Sequence, residues 1–177
     1  DDSKQRSALS TLVDLARDMQ TRLDKQQSRI QQLELMVETD ELTGLYNRRG
    51  FMRRMREAIA RAARNGEAGI LVIADLDGFK QINDEHGHAA GDAVLRHFGQ
   101  NLRTHTRYDD FVARFGGDEF AILMTGSNPA AANKRISQLQ NATARFPLIW
   151  QGKALPIKAS FGHASYEAKC DIGELIR

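Results

Sequence analysis

Three carboxylates carry the chemistry available to this sequence. Asp75 follows an apolar, β-branched run, Ile70-Leu71-Val72-Ile73-Ala74, and precedes Leu76-Asp77-Gly78. Asp118 and Glu119 follow Gly116-Gly117, between the strand-like runs 111–115 and 120–124. If these segments neighbour each other in a sheet, the acids converge at one edge. Crowded carboxylates repel and resist ionising. Mg²⁺ resolves that crowding, because it takes oxygen ligands and commonly combines one or two carboxylates with substrate phosphates. Read more plainly, Asp118-Glu119 is a solvated acidic turn.

The same edge has features suited to phosphate. Asp77-Gly78-Phe79-Lys80 leads into a short helix, whose free N–H groups could hold phosphate while Lys80 adds positive charge. The alternative is an ordinary solvent-facing lysine. Gly116-Gly117 lets a sugar or base approach the backbone closely, or simply closes a tight hairpin. His86-Gly87-His88 has no third soft ligand at useful spacing and reads as structural. Cys170 is the single cysteine and has no evident histidine base. No internal disulfide can form, which fits a reducing compartment.

The elements that must position these residues follow from periodicity. The run at 70–74 predicts a strand buried on both faces. Asn47 caps a helix whose apolar face is Phe51, Met55 and Ile59, and Asn65-Gly66 ends it. A short helix is expected from Phe79 to Glu85 and a longer one from about Gly91 to Thr104. The runs 111–115 and 120–124 form a hairpin. Asn128-Pro129 starts a further helix, and residues 147–166 read as two strands turned at Gln151-Gly152. Asp171-Ile172-Gly173-Glu174 is a capping box for a last helix. The order predicts an α/β fold of the α+β sandwich type, a mainly antiparallel central sheet flanked by helices.

Residues 1–39 are different. They lack Gly and Pro and carry a 3,4-spaced stripe of Leu9, Leu12, Ala16, Met19, Leu23, Ile30, Leu33 and Val37, breached by Gln26. So narrow a seam predicts a long coiled-coil helix that pairs with a second copy, forming a homodimer, rather than a helix lying on its own domain. The expected domains are therefore a helical stalk, 1–39, and a globular domain, 40–177. The 177 residues are 41% hydrophobic and 27% charged, with net charge +2, so nothing global points to a nucleic-acid polymer or a membrane surface. No apolar run approaches the ~20 residues that span a bilayer. The chain begins Asp1-Asp2-Ser3 without an initiator Met, which suggests a piece of a longer protein whose sensor or membrane part lies upstream.

Four motifs in order carry a resemblance. Asp40-Glu41-Leu42-Thr43-Gly44-Leu45-Tyr46-Asn47-Arg48-Arg49 resembles the opening motif of GGDEF domains. Asp75 to Asp84 resembles their metal and phosphate segment, Gly87-His88-Ala89-Ala90-Gly91-Asp92 the next motif, and Gly116-Gly117-Asp118-Glu119-Phe120 the signature. The resemblance runs from about Thr39 to Arg177. It implies a palm-like sheet and a cytoplasmic diguanylate cyclase, which condenses two GTP into cyclic di-GMP and two pyrophosphates across a pair of facing domains. It also implies that Asp75, Asp118 and Glu119 bind Mg²⁺, or Mn²⁺ as the alternative, with the Leu76 carbonyl assisting. Glu119 could instead help activate the 3′-hydroxyl. Asn83 and Asp92 match guanine-contacting positions, and Asp92 suits guanine N1–H and N2–H. Phe79 and Lys80 match the phosphate-holding backbone, and Gly116 and Gly117 would lie under the nucleotide.

Arg107-Tyr108-Asp109-Asp110, five residues before Gly116-Gly117, matches the family's product-inhibition site. Arg107 would fork onto phosphate or guanine and Asp110 would accept guanine donors. A plain surface ion pair is the alternative. The family pattern usually continues past this chain's last helix start with basic residues that reach the triphosphate, so the domain is expected to lack its last helix. A catalytically inactive GGDEF module that senses GTP or cyclic di-GMP is the competing function; the intact acidic, amide and lysine positions argue for the enzyme.

Overall fold

A computed structural model describes residues 15–28, 30, 33 and 38–176. The chain divides into two units, Asp1–Val37 and Glu38–Arg177. In the first, residues 15–28, 30 and 33 are helical, and Met19, Leu23, Ile30 and Leu33 of the apolar stripe are exposed. Leu9, Leu12 and Val37, the other large members of that stripe, lie outside the described residues.

The second unit begins with β1 (Tyr46–Asn47) and α1 (Arg48–Asn65), then β2 (Gly69–Leu76), α2 (Phe79–His86) and α3 (His88–Thr104). The hairpin β3 (Phe111–Gly116) and β4 (Glu119–Met124) follows, then α4 (Pro129–Arg145). The chain continues through β5 (Leu148–Trp150), β6 (Lys153–Leu155) and β7 (Ala159–Tyr166) to α5 (Ile172–Leu175). Five strands form one sheet in the order β1-β3-β4-β2-β7. Only the short β1–β3 pairing is parallel. The expected α/β sandwich is what forms.

Alternation along the central strands supplies two cores. Ile70, Val72, Ala74 and Leu76 of β2, with Phe120, Ile122 and Met124 of β4, face Val94, Leu95, Phe98 and Leu102 of α3 and Ile136 and Leu139 of α4. Leu71, Ala121 and Leu123 point the other way, onto Phe51 and Met55 of α1 and onto Tyr166. A strand covered on both faces is why 70–74 reads as an unbroken apolar run. Phe98 meets Phe120 edge to face at 4.9 Å, the favoured geometry for two aromatic rings.

The caps match their sequence signals. Asn47 accepts from the Gly50 N–H, Asn128 from Ala131, and Asp171 from Glu174. Two expectations need correction. Residues 147–166 contain three strands rather than two: β5 and β6 pair as a separate ribbon, and β7 joins the main sheet beside β2. Pro156, which has no N–H to give a ladder, stands at the break between β6 and β7. Helix α3 starts at His88, not near Gly91; Gly91 sits inside it because another side chain occupies the space its own would take.

Candidate active site

The sheet register brings the three acids together. β2 and β4 are antiparallel neighbours, and Asp75 stands directly opposite Glu119. The Leu76 N–H donates to the Asp118 carbonyl at 3.4 Å, which ties the hairpin tip to the end of β2. The hairpin loop itself is Gly117-Asp118, with a register shift between Arg114 and Gly116. Gly117 has φ +39, a left-handed conformation that other residues resist, whereas a methyl group on Gly116 would meet only Glu119 Oε2, at 3.8 Å. Gly117 therefore shapes the turn, and the space over Gly116 is open to a ligand.

Asp75 shows the electrostatic consequence. Its carboxyl is held above the ordinary carboxylate range. Shielding from water by the strand ends is the first cause, and the charges of Asp118, Glu119 and Asp77 add to it. The residue nonetheless keeps solvent contact. Asp77 is a fourth acid that the sequence motifs do not single out as a ligand. Its Oδ1 accepts from the Ser160 hydroxyl at 2.8 Å and its N–H donates to the Lys158 carbonyl at 3.0 Å, so β7 and the loop before it fix the turn after β2.

Among the described residues no three His, Cys, Asp or Glu side chains are grouped so as to hold a metal ion by themselves. The donor set is hard oxygen, anionic and crowded, on one open sheet edge. Such a set fits Mg²⁺, which retains waters and completes its shell with substrate phosphates, better than an ion that needs an all-protein cage. The buried side chain of Leu76 leaves only its backbone available to the site.

Gly78, with φ +71, turns the chain from β2 straight into α2. It provides no side-chain cap, so the first N–H groups of α2, around Phe79 and Lys80, have no capping side chain. Phe79 packs on the core and Lys80 is exposed. Farther along α2, the Asn83 amide lies against the α3 backbone at Gly91, beside the half-buried Asp92. Asn83 thus packs against the residue before Asp92, where α2 meets α3. His86 and His88 flank the α2–α3 junction, and the Cys170 thiol accepts from the Glu167 N–H.

Arg107 and Asp110 sit elsewhere. They precede β3, whereas the carboxylates gather at its far end, roughly 20 Å along the strand. Arg107 is exposed. Asp110 is 2% exposed; its Oδ2 accepts from the Arg107 N–H at 2.8 Å and pairs with Arg135 of α4. Its other carboxylate oxygen, Oδ1, is buried without a hydrogen-bond partner. A cleft of about 920 Å³ opens at this end, lined by Arg54, Arg61, Arg103, Tyr108 and Asp110 among others. A smaller one of about 210 Å³ lies beside Asp77, Gly78 and Lys158. Volume does not select the chemistry here, because the crowded acids are at the smaller cleft's end of the sheet.

The mixed sheet thus carries acids at the end of its central strands, with a helix N-terminus beside them. The family model described as "Diguanylate cyclase, GGDEF domain" matches residues 37–177, and the chain belongs to that family. It is 39% identical over 138 residues to the diguanylate cyclase DgcP of Pseudomonas aeruginosa, covering 78% of this chain and 20% of that protein. The chain thus spans about a fifth of that relative's length. Among solved structures, the diguanylate cyclase SiaD of Pseudomonas aeruginosa, in complex with its activator SiaC, matches with TM-score 0.76 and 27% identity, covering 98% of this chain and 67% of that one. The coiled coil and GGDEF domain of DgcB from Caulobacter crescentus, in complex with c-di-GMP, shares the fold with TM-score 0.75 and 24% identity, covering 93% and 88%. Among the described residues no helix is long and apolar enough to cross a membrane.

Proposed function

We propose that this chain is an active diguanylate cyclase, with residues 40–177 as its catalytic domain and residues 1–39 as a stalk that pairs two copies. The observation that carries the proposal is the convergence of Asp75, Asp118 and Glu119 on adjacent strand ends, next to the uncapped N-terminus of α2. In this reading each domain holds one GTP. The Asn83 amide and the Asp92 carboxylate read the guanine edge, and adenine would leave them unpaired. The N–H groups at Phe79 and Lys80, with the Lys80 ammonium, hold the phosphates. Gly116 and Gly117 leave room for the nucleotide over the hairpin.

Asp75, Asp118 and the Leu76 carbonyl would hold Mg²⁺, with Glu119 either completing the set or accepting the 3′-hydroxyl proton. When bound, Mg²⁺ lowers the pKa of the attacking hydroxyl and offsets charge on the departing oxygen. The 3′-oxygen of one GTP bonds to the α-phosphorus of the other, the α–β P–O bond breaks, and pyrophosphate leaves. Repeating the step closes the ring. The protein contributes chiefly alignment and fixed charge. The facing domains come from two copies, and the exposed Met19, Leu23, Ile30 and Leu33 supply an apolar seam for that pairing.

Arg107 and Asp110 form the proposed product site. The unpartnered Asp110 Oδ1 and the basic cleft beside it support a ligand that donates hydrogen bonds and carries phosphate, as cyclic di-GMP does. The test is incubation of the full chain with GTP and Mg²⁺, with ATP as control, followed by chromatographic separation of the nucleotides. Cyclic di-GMP from GTP alone supports the enzyme. Tight GTP or cyclic di-GMP binding with no turnover would replace it with a sensing module.

A further inference from the structure

We infer that Arg114 is a positioning residue for the signature hairpin, clamping it to the turn at the start of the globular unit. The inference rests on the cyclase reading for its kinetic consequences, but its geometry stands independently.

Arg114 lies on β3, just before the register shift that leads into the hairpin. Its Nε–H donates to the Gly117 carbonyl at 2.9 Å. Its Nη1 reaches Asp40 Oδ2 at 3.3 Å, across 74 positions of sequence. One planar guanidinium therefore holds the peptide immediately before Asp118 and, through a second nitrogen, an anchor on another segment. Only a fork of fixed geometry can do both at once.

The anchor is itself immobilised. Asp40 Oδ1 accepts from the Thr43 N–H at 2.9 Å and the Thr43 hydroxyl at 2.7 Å. The Asp40 backbone is closed on both sides, its N–H donating to the Leu45 carbonyl and its carbonyl accepting from Gly44, each at 2.8 Å. Arg114 and Asp40 side chains are only 18% and 21% exposed, so water competes weakly for the bond between them. The hairpin tip needs such a brace. Its loop is two residues long, Gly117 is unhindered by side-chain packing, and the register shift interrupts the ladder just behind it. Without the clamp, the tip keeps its Gly116–Glu119 pairing and the 3.4 Å bond from the Leu76 N–H to the Asp118 carbonyl.

The clamp acts on the aim of Asp118 and Glu119, whereas Asn83, Asp92 and α2 hold the base and phosphates. Loss of the clamp should therefore lower kcat and spare GTP binding. Arg114→Gln, which keeps length and polarity but loses the charge and the fork, is expected to reduce kcat roughly 10- to 100-fold. KM for GTP should stay within about twofold. Arg114→Lys should not rescue it, since an ammonium is a point charge without the fork. Asp40→Asn is the milder variant should Arg114→Gln fail to fold.

A second readout does not need turnover. Amide hydrogen exchange in peptides spanning residues 116–119 should quicken in Arg114→Gln and in Asp40→Asn, while exchange in β2 stays as in the wild type. Unchanged hairpin exchange, an unchanged kcat, or a KM increase with kcat retained would each overturn the clamp. If the wild-type chain makes no cyclic di-GMP, the cyclase reading fails, and the exchange comparison still decides the clamp.

Discussion

Gly91→Ala separates recognition from stability. The added methyl group would overlap Asn83 Oδ1, come within 2.9 Å of Asn83 Cγ and sit 3.2 Å from Phe79 Cζ. The end of the Asn83 side chain can swing aside, at a cost of about 0.5–1.5 kcal/mol for an unfavoured rotamer. Against this stands the gain from replacing glycine inside a helix, about 1 kcal/mol. The two nearly cancel, so the melting temperature should move by only a few degrees, at about 2–4 °C per kcal/mol for a chain of this size. In the proposed cyclase the displaced amide no longer reaches guanine. Losing one neutral hydrogen bond costs about 0.5–1.5 kcal/mol, which weakens GTP binding about 2- to 12-fold. The assay is calorimetric titration with a GTP analogue whose α–β bridging oxygen is carbon, so that turnover does not interfere. In an Asn83→Ala background the same Gly91→Ala change should cost nothing further. Full additivity, or unchanged affinity in the single variant, would refute the argument.

Other perturbations test other parts of the structure. Asp75→Asn should stabilise the metal-free protein at neutral pH, because the raised folded-state value means that the charged form is disfavoured in the native state. The benefit should shrink as pH falls through that raised value and vanish below the ordinary carboxylate value near 3.8, as thermal melts across pH will show. Arg135→Ala strands the buried Asp110 carboxylate and should cost about 3–5 kcal/mol in denaturant unfolding, far more than an exposed pair would. Phe98→Ala removes a ring with 0% exposure that packs on Phe120, and should cost about 3–5 kcal/mol by the same measurement.

What was legible in the sequence was local. The run at 70–74, the hairpin around Gly116-Gly117 and the caps Asn47, Asn128 and Asp171 each carry their signal within a few residues, and each forms the expected element. The meeting of Asp75 with Glu119 required only that β2 and β4 be neighbours. Interactions between distant segments were not legible. The Ser160 bond to Asp77 spans 83 positions and depends on the β7–β2 register, which no local pattern encodes. Arg114 reads as one polar position in a strand until Asp40 is folded against it. Asp110 reads as a surface ion pair or a ligand acceptor, and no local pattern reveals its pairing with Arg135, 25 residues on. The third strand in 147–166 was hidden because the apolar pattern runs on past Pro156, where the ladder breaks.

In the proposed cyclase the acids at the β2–β4 edge drive GTP condensation. The most direct measurement is the initial rate of cyclic di-GMP and pyrophosphate formation from GTP and Mg²⁺, for the wild-type chain beside Asp118→Asn and Asp75→Asn. The wild type should give one cyclic di-GMP per two pyrophosphates, and each variant should lose about 100-fold or more in rate. Product formation that survives both substitutions, or a wild type that binds GTP and releases no pyrophosphate, would contradict that role of the acids.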